Sequence, residues 1–161
     1  MSFGSPVRER LARFIQGEGH RVEMALSDDE SVAELLFRTR GYVVSVTVHE
    51  GEPPRFEVAT AYEIPSWARE RAQNATVLQD VADDADGVHF TLAPDGKHFV
   101  AVLECAGLEL EAFQSEFWGC VGRVRDAGIS ALERIFDRSE SRAAADKFIK
   151  SLQSRGTHGS G

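Results

Sequence analysis

The sequence predicts an α+β domain. One antiparallel β-sheet, a meander plus a hairpin, packs with an N-terminal, a middle and a long C-terminal helix. Three observations predict it. Two valine-rich or alternating stretches, "GYVVSVTVHE" (41–50) and "RFEVATAYEI" (55–64), flank the short turn "GEPP". Two more strand-like arms, "HFTL" and "HFVAVLEC", flank Pro94-Asp95-Gly96. Three segments repeat apolar residues at three- and four-residue steps, the helical period.

In chain order, "SPVRERLARFIQGEGH" (5–20) opens with Ser5 as a cap and Pro6 in the first turn. Val7, Leu11, Phe14 and Ile15 fall on one helical face, and Gly17 and Gly19 end the helix. "HRVEMALS" alternates, with Val22, Met24 and Leu26 on one side. "SDDES" is a polar turn. "VAELLFRTR" (32–40) fits a strand or a short helix, and its length and flanks favour the strand. In the hairpin that follows, Tyr42, Val44, Val46 and Val48 share one face, answered by Phe56, Val58, Thr60 and Tyr62.

The spacing then predicts a helix over 66–84, with Trp67, Ala75, Leu78, Val81 and Ala82 in one stripe and Ser66 as its cap. Its acidic end, "DDAD", opposes the helix dipole and is expected to fray. Around Pro94-Asp95-Gly96 two loops are open. A type I turn with a glycine bulge puts His89 and His98 on opposite faces; a four-residue loop puts both on one face. A long helix follows over 108–138. Its Gly119, Gly122 and Gly128 each cost about 1 kcal/mol relative to alanine, which suggests a close backbone approach or a break near Gly128. A shorter helix over 141–153 carries Phe148, Ile149 and Leu152. Residues 1–153 form one domain, and 154–161 are expected to be a flexible tail.

Composition narrows the function. The chain has 161 residues, 42% hydrophobic and 27% charged, enough for one domain with a real core. A net charge of -8 argues against general affinity for nucleic-acid phosphates. No apolar run is long enough to span a membrane, and with no signal-peptide pattern a cytoplasmic protein is expected. Cys105 and Cys120 form no Cys-x-x-Cys pair and read as reduced core thiols. The five histidines make no metal spacing, and the acidic turns lack the ligand alternation of a calcium loop. There is no nucleophile elbow, Walker loop or dinucleotide fingerprint. The expectation is a chain that is not an enzyme and has no cofactor.

The order of elements resembles the YbjN-like family and, more distantly, the type III secretion chaperone fold. The segments that carry the resemblance are "GYVVSVTVHEGEPPRFEVATAYEI", the helix 66–84, and "GVHFTLAPDGKHFVAVLEC" running into "LEAFQSEFWGCVGRV". The middle helix reads "VLQDVADDAD", without the asparagine-rich signature of the family. The resemblance implies a non-enzymatic protein that binds other proteins, usually as a homodimer, in a chaperone-like or regulatory role in bacterial stress or signalling.

Strand 98–105 poses the functional question. Phe99, Val100, Ala101, Val102 and Leu103 follow one another with no polar residue, so both faces call for cover. The second cover is a helix of the same chain, a second subunit or a client. Val100 and Val102 are the candidates for a partner surface on the sheet. Trp67, Leu78 and Val81 are candidates on the middle helix, Trp67 as an aromatic anchor or a half-buried core residue. The alternative function is a small-molecule binder with an apolar pocket between sheet and long helix. A hydrolase with a dispersed site is a weaker third.

Overall fold

The structure is a computed structural model that describes residues 5–85 and 87–159; the side chains of 140–144, 146 and 154–159 lie outside that description. Six strands form one antiparallel sheet: β1 (Glu23–Leu26), β2 (Val32–Thr39), β3 (Tyr42–His49), β4 (Arg55–Glu63), β5 (Val88–Leu92) and β6 (His98–Cys105). Their order across the sheet is β1-β2-β3-β4-β6-β5. Three helices, α1 (Val7–Gly17), α2 (Arg71–Asp84) and α3 (Leu110–Gly159), pack on one face.

Alternation dictates that face. Ala33, Leu35 and Phe37 on β2, Val44, Val46 and Val48 on β3, Phe56, Val58 and Tyr62 on β4, and Phe99, Ala101 and Leu103 on β6 are all buried. α3 meets them in ring-to-ring contact. Phe113 stacks on Phe56 at 4.0 Å between centroids, and Phe117 meets Phe37 at 5.9 Å. α1 adds Leu11 and Ile15, and α2 adds Val77, Leu78 and Val81. These side chains fill much of the space between sheet and long helix, where an apolar pocket is the alternative expectation; a cleft of about 340 Å³ remains at its β5 end, lined by Val81, Val88, Ala127 and Arg134.

Several local expectations are corrected. α1 begins at Val7 with Pro6 in the cap position, and no serine caps it. The Glu50 carboxylate does so from β3's end, accepting from the Val7 and Arg8 N–H groups at 3.3 and 3.1 Å. The helix expected over 66–84 is two pieces, a 3-10 turn at Ser66–Ala68 and then α2. Glu70 is extended, and Arg69 folds back to donate to the Ile64 carbonyl at 2.7 Å. The acidic end of α2 stays helical through Asp84. Arg134 and Arg138 of α3 reach Asp84 and Asp80 at 3.1 and 3.0 Å and offset the unfavourable dipole.

The two helices expected over 108–138 and 141–153 are one. Nothing between them breaks the period, since "DRSESR" holds neither proline nor glycine, and the helical backbone continues to Gly159 through the stretch expected to be tail. Of the three glycines, Gly128 alone marks a close approach: a Cβ there would overlap the Tyr62 ring, while Gly119 has open space. The hairpin takes the four-residue loop. Ala93 N–H donates to the His98 carbonyl at 2.8 Å, and Asp95 accepts from Lys97 N–H at 2.8 Å. "SDDES" is closed by its own groups. Asp29 accepts from the Ser31 hydroxyl at 2.7 Å, the Ser31 N–H at 3.0 Å and the Ser27 hydroxyl at 2.9 Å, and these hold its carboxyl down to about 2.

Candidate functional site: the open face of the sheet

Among the described residues, the three helices lie on one side and the other side of the sheet has no helix against it. Register lines its residues up in rows across the strands. One row runs Leu36, Ser45, Ala59, Val102, His89 from β2 to β5. The next pairs Ala61 with Val100 and Val100 with Thr91, and Val43 stands opposite Arg38. A third row is acidic: Glu34, Thr47, Glu57 and Glu104. The result is a strip of small and branched apolar side chains edged by three glutamates. Val43 is 43% exposed, Ala61 is exposed, and Val100 and Val102 are half-buried by their neighbours along and across the strands.

Among the described residues, no helix covers the second face of β6. β6 reads as continuously apolar because Phe99, Ala101 and Leu103 serve the core while Val100 and Val102 serve the open strip. Both hairpin histidines lie on this face, His89 opposite Val102 and His98 opposite Glu63.

The polar rim has its own contacts. Glu57 sits 3.7 Å from His49, whose Nε2 lies 3.3 Å from the Arg55 guanidinium. The Ser45 hydroxyl donates to Glu34 at 3.2 Å. Glu104 is exposed and has no ion pair among the described residues.

The five residues singled out in the sequence do not form one surface. Val100 and Val102 are adjacent on the open strip. Leu78 and Val81, each 4% exposed, are spent on the chain's own core, because α2 turns its apolar stripe to β5 and α3. Trp67 is 60% exposed but on the helical side, its ring 5.2 Å from Phe136 of α3. The break at Arg69 and Glu70 takes Trp67 off the α2 stripe. Sequence reasoning missed Val43, Ala59 and Ala61. The alternation Glu57, Ala59, Ala61, Glu63 was the available signal, since it is the non-core set of a strand whose other set is plainly apolar.

Open clefts occur at the corner where the α1–β1 turn meets α3. One of about 480 Å³ is lined by His20, Arg40, Trp118 and Arg125. His20 is fixed there by its Nδ1 contact with the Arg38 carbonyl at 3.0 Å and by ring contact with Trp118 at 5.1 Å. Among the described residues no three His, Cys, Asp or Glu side chains converge as a metal site requires, and no helix is long and apolar enough to cross a membrane.

The architecture defines a class: an α+β unit whose single six-stranded antiparallel sheet has helices on one face, the last of them long. Within that class the fold is YbjN-like. YbjN from E. coli, a putative transcription regulator, superposes with a TM-score of 0.51 at 12% identity, over 81% of this chain and 93% of that one. An uncharacterized protein from Methanothermobacter thermautotrophicus superposes with a TM-score of 0.59 at 15% identity, over 82% of this chain and 98% of that one. The sequence matches no protein-family model and no curated protein. Neither structural neighbour is described as an enzyme.

Proposed function

We propose that the chain is a non-enzymatic protein-binding module, chaperone-like or regulatory, that works as a homodimer. The observation that carries this reading is the uncovered strip of Val43, Ala59, Ala61, Val100 and Val102 on a sheet whose other face is fully used. Small side chains across three strands give a surface that another backbone can approach closely, and removing such area from water favours association. Self-association takes the strip, through Val100 and Val102. Trp67, exposed on the helical side, is the anchor for a client, since large aromatic side chains dominate binding energy where they are buried by a partner. YbjN's description as a regulator agrees with action through binding.

The test is methyl NMR on a dilution series. The Val43, Val100 and Val102 methyl signals are expected to shift with protein concentration while Leu78 and Val81 stay fixed, and Trp67→Glu is expected to leave those shifts unchanged. Concentration-independent signals across the strip would overturn the assignment.

A further inference from the structure

The chain holds two cysteines, 15 positions apart, and the fold sets them side by side. On β6 the core-facing positions are Phe99, Ala101 and Leu103, and the next in that alternation is Cys105, opposite Phe56. On α3 the core-facing positions run Phe113, Phe117, then Cys120, Val121 and Val124. The strand period and the helix period therefore bring the two thiols together behind the Phe56–Phe113 stack. Their sulfurs are 4.0 Å apart, at contact distance. A disulfide requires about 2.05 Å, so closure needs an approach of about 2 Å. Cys120 is buried and Cys105 is half-buried at the end of its strand, so Cys105 is the more accessible of the two to a small oxidant.

We propose that Cys105 and Cys120 are a reversible dithiol–disulfide pair that closes when a peroxide reaches Cys105. In the first step the Cys105 sulfur attacks one peroxide oxygen. An S–O bond forms, the O–O bond breaks, and with hydrogen peroxide one water leaves, giving a sulfenic acid. In the second step the Cys120 sulfur attacks the Cys105 sulfur. The S–S bond forms, the S–OH bond breaks, and the hydroxide leaves as water with the Cys120 proton. Two thiols and one peroxide thus give one disulfide and two waters, and an added dithiol reductant reverses the change by exchange.

Burial first, and then the neighbouring Cys120, push the Cys105 thiol up to about 12, with Arg123 opposing and Glu116 reinforcing the shift. The thiol is protonated at neutral pH, so the pair closes under sustained rather than brief exposure. Once closed, it ties the end of β6, the strand that carries Val100 and Val102, to α3.

The experiment oxidises the full chain with hydrogen peroxide and measures intact and digested mass. Trypsin is uninformative, because no Lys or Arg separates the cysteines; cleavage after glutamate leaves one in 105–109 and the other in 117–133. The expected result is a loss of about 2 Da, with those two peptides joined and separated again by dithiothreitol. In Cys120→Ser the reaction is expected to stop at an oxygen adduct on Cys105, and in Cys105→Ser no joined peptide forms. Oxygen adducts on the wild type without joined peptides, or a disulfide between two chains, would overturn the proposal.

Discussion

Tyr62 ties the sheet to the long helix with one phenol. Its ring lies over Phe99 at 5.2 Å, its hydroxyl donates to the Arg125 carbonyl at 3.0 Å, and its edge occupies the space that Gly128 leaves. Burial first, and then the neighbouring Tyr42, push its pKa from 10 up to about 12. The neutral phenol is therefore the folded form, and its contribution to stability is fully present below pH 10 and lost as pH rises towards 12. Cys105 acts in the same direction. In a spectrophotometric titration, one tyrosine is expected to ionise only near pH 12, a step that disappears in Tyr62→Phe, and unfolding free energy falls across the same range. A Tyr62 that titrates near 10 would contradict this. The core position of Tyr62 was legible in the sequence, because it shares alternation with Phe56 and Val58. Its hydrogen bond to Arg125, 63 residues away, was not, because nothing local encodes it.

At the level of elements, periodicity was most informative where one face is buried. β2 to β4, the 88–105 hairpin and the core face of α1 all follow from alternation or helical spacing. Boundaries set by long-range partners were not legible. α1 is capped by Glu50, and Arg8, nearly buried beside it, pairs with Glu30 and Glu50 at 3.5 and 3.7 Å. The break before α2 depends on Arg69 reaching Ile64, and the single long α3 on the absence of any residue that stops it. The α3 glycines turn the close helix–sheet approach into a prediction. Gly128→Ala adds a methyl against Tyr62, an overpacking cost of about 1–3 kcal/mol offset in part by about 1 kcal/mol of helix propensity. Gly119→Ala has the propensity gain alone, in open space. Urea midpoints are expected to fall for Gly128→Ala and to rise for Gly119→Ala. Equal midpoints would show that α3 does not approach Tyr62 as described.

For the whole molecule, the sequence posed the functional question correctly but not its answer. A run such as Phe99–Leu103 shows that two faces are apolar; what covers each depends on where all the helices land. The three described helices land on one side, which leaves the Val100 and Val102 side as an uncovered strip with an acidic edge. That strip carries the proposed function of a YbjN-like fold whose two structural neighbours named above are 15% and 12% identical to it. Leu78 and Val81 are closed to a partner for the same reason that the fold is stable: α2 uses its stripe to close the core over β5. Val102→Glu places a charge on the strip without touching the core, so it separates association from folding.

The most direct measurement is absolute mass by light scattering across a concentration series, for the wild type and Val102→Glu side by side. The wild type is expected to approach twice the chain mass of 17.7 kDa, and Val102→Glu to remain at the single-chain mass with unchanged circular dichroism. A wild type that stays at the single-chain mass at every concentration, or a Val102→Glu chain that dimerises as the wild type does, would contradict the open strip as the surface of self-association.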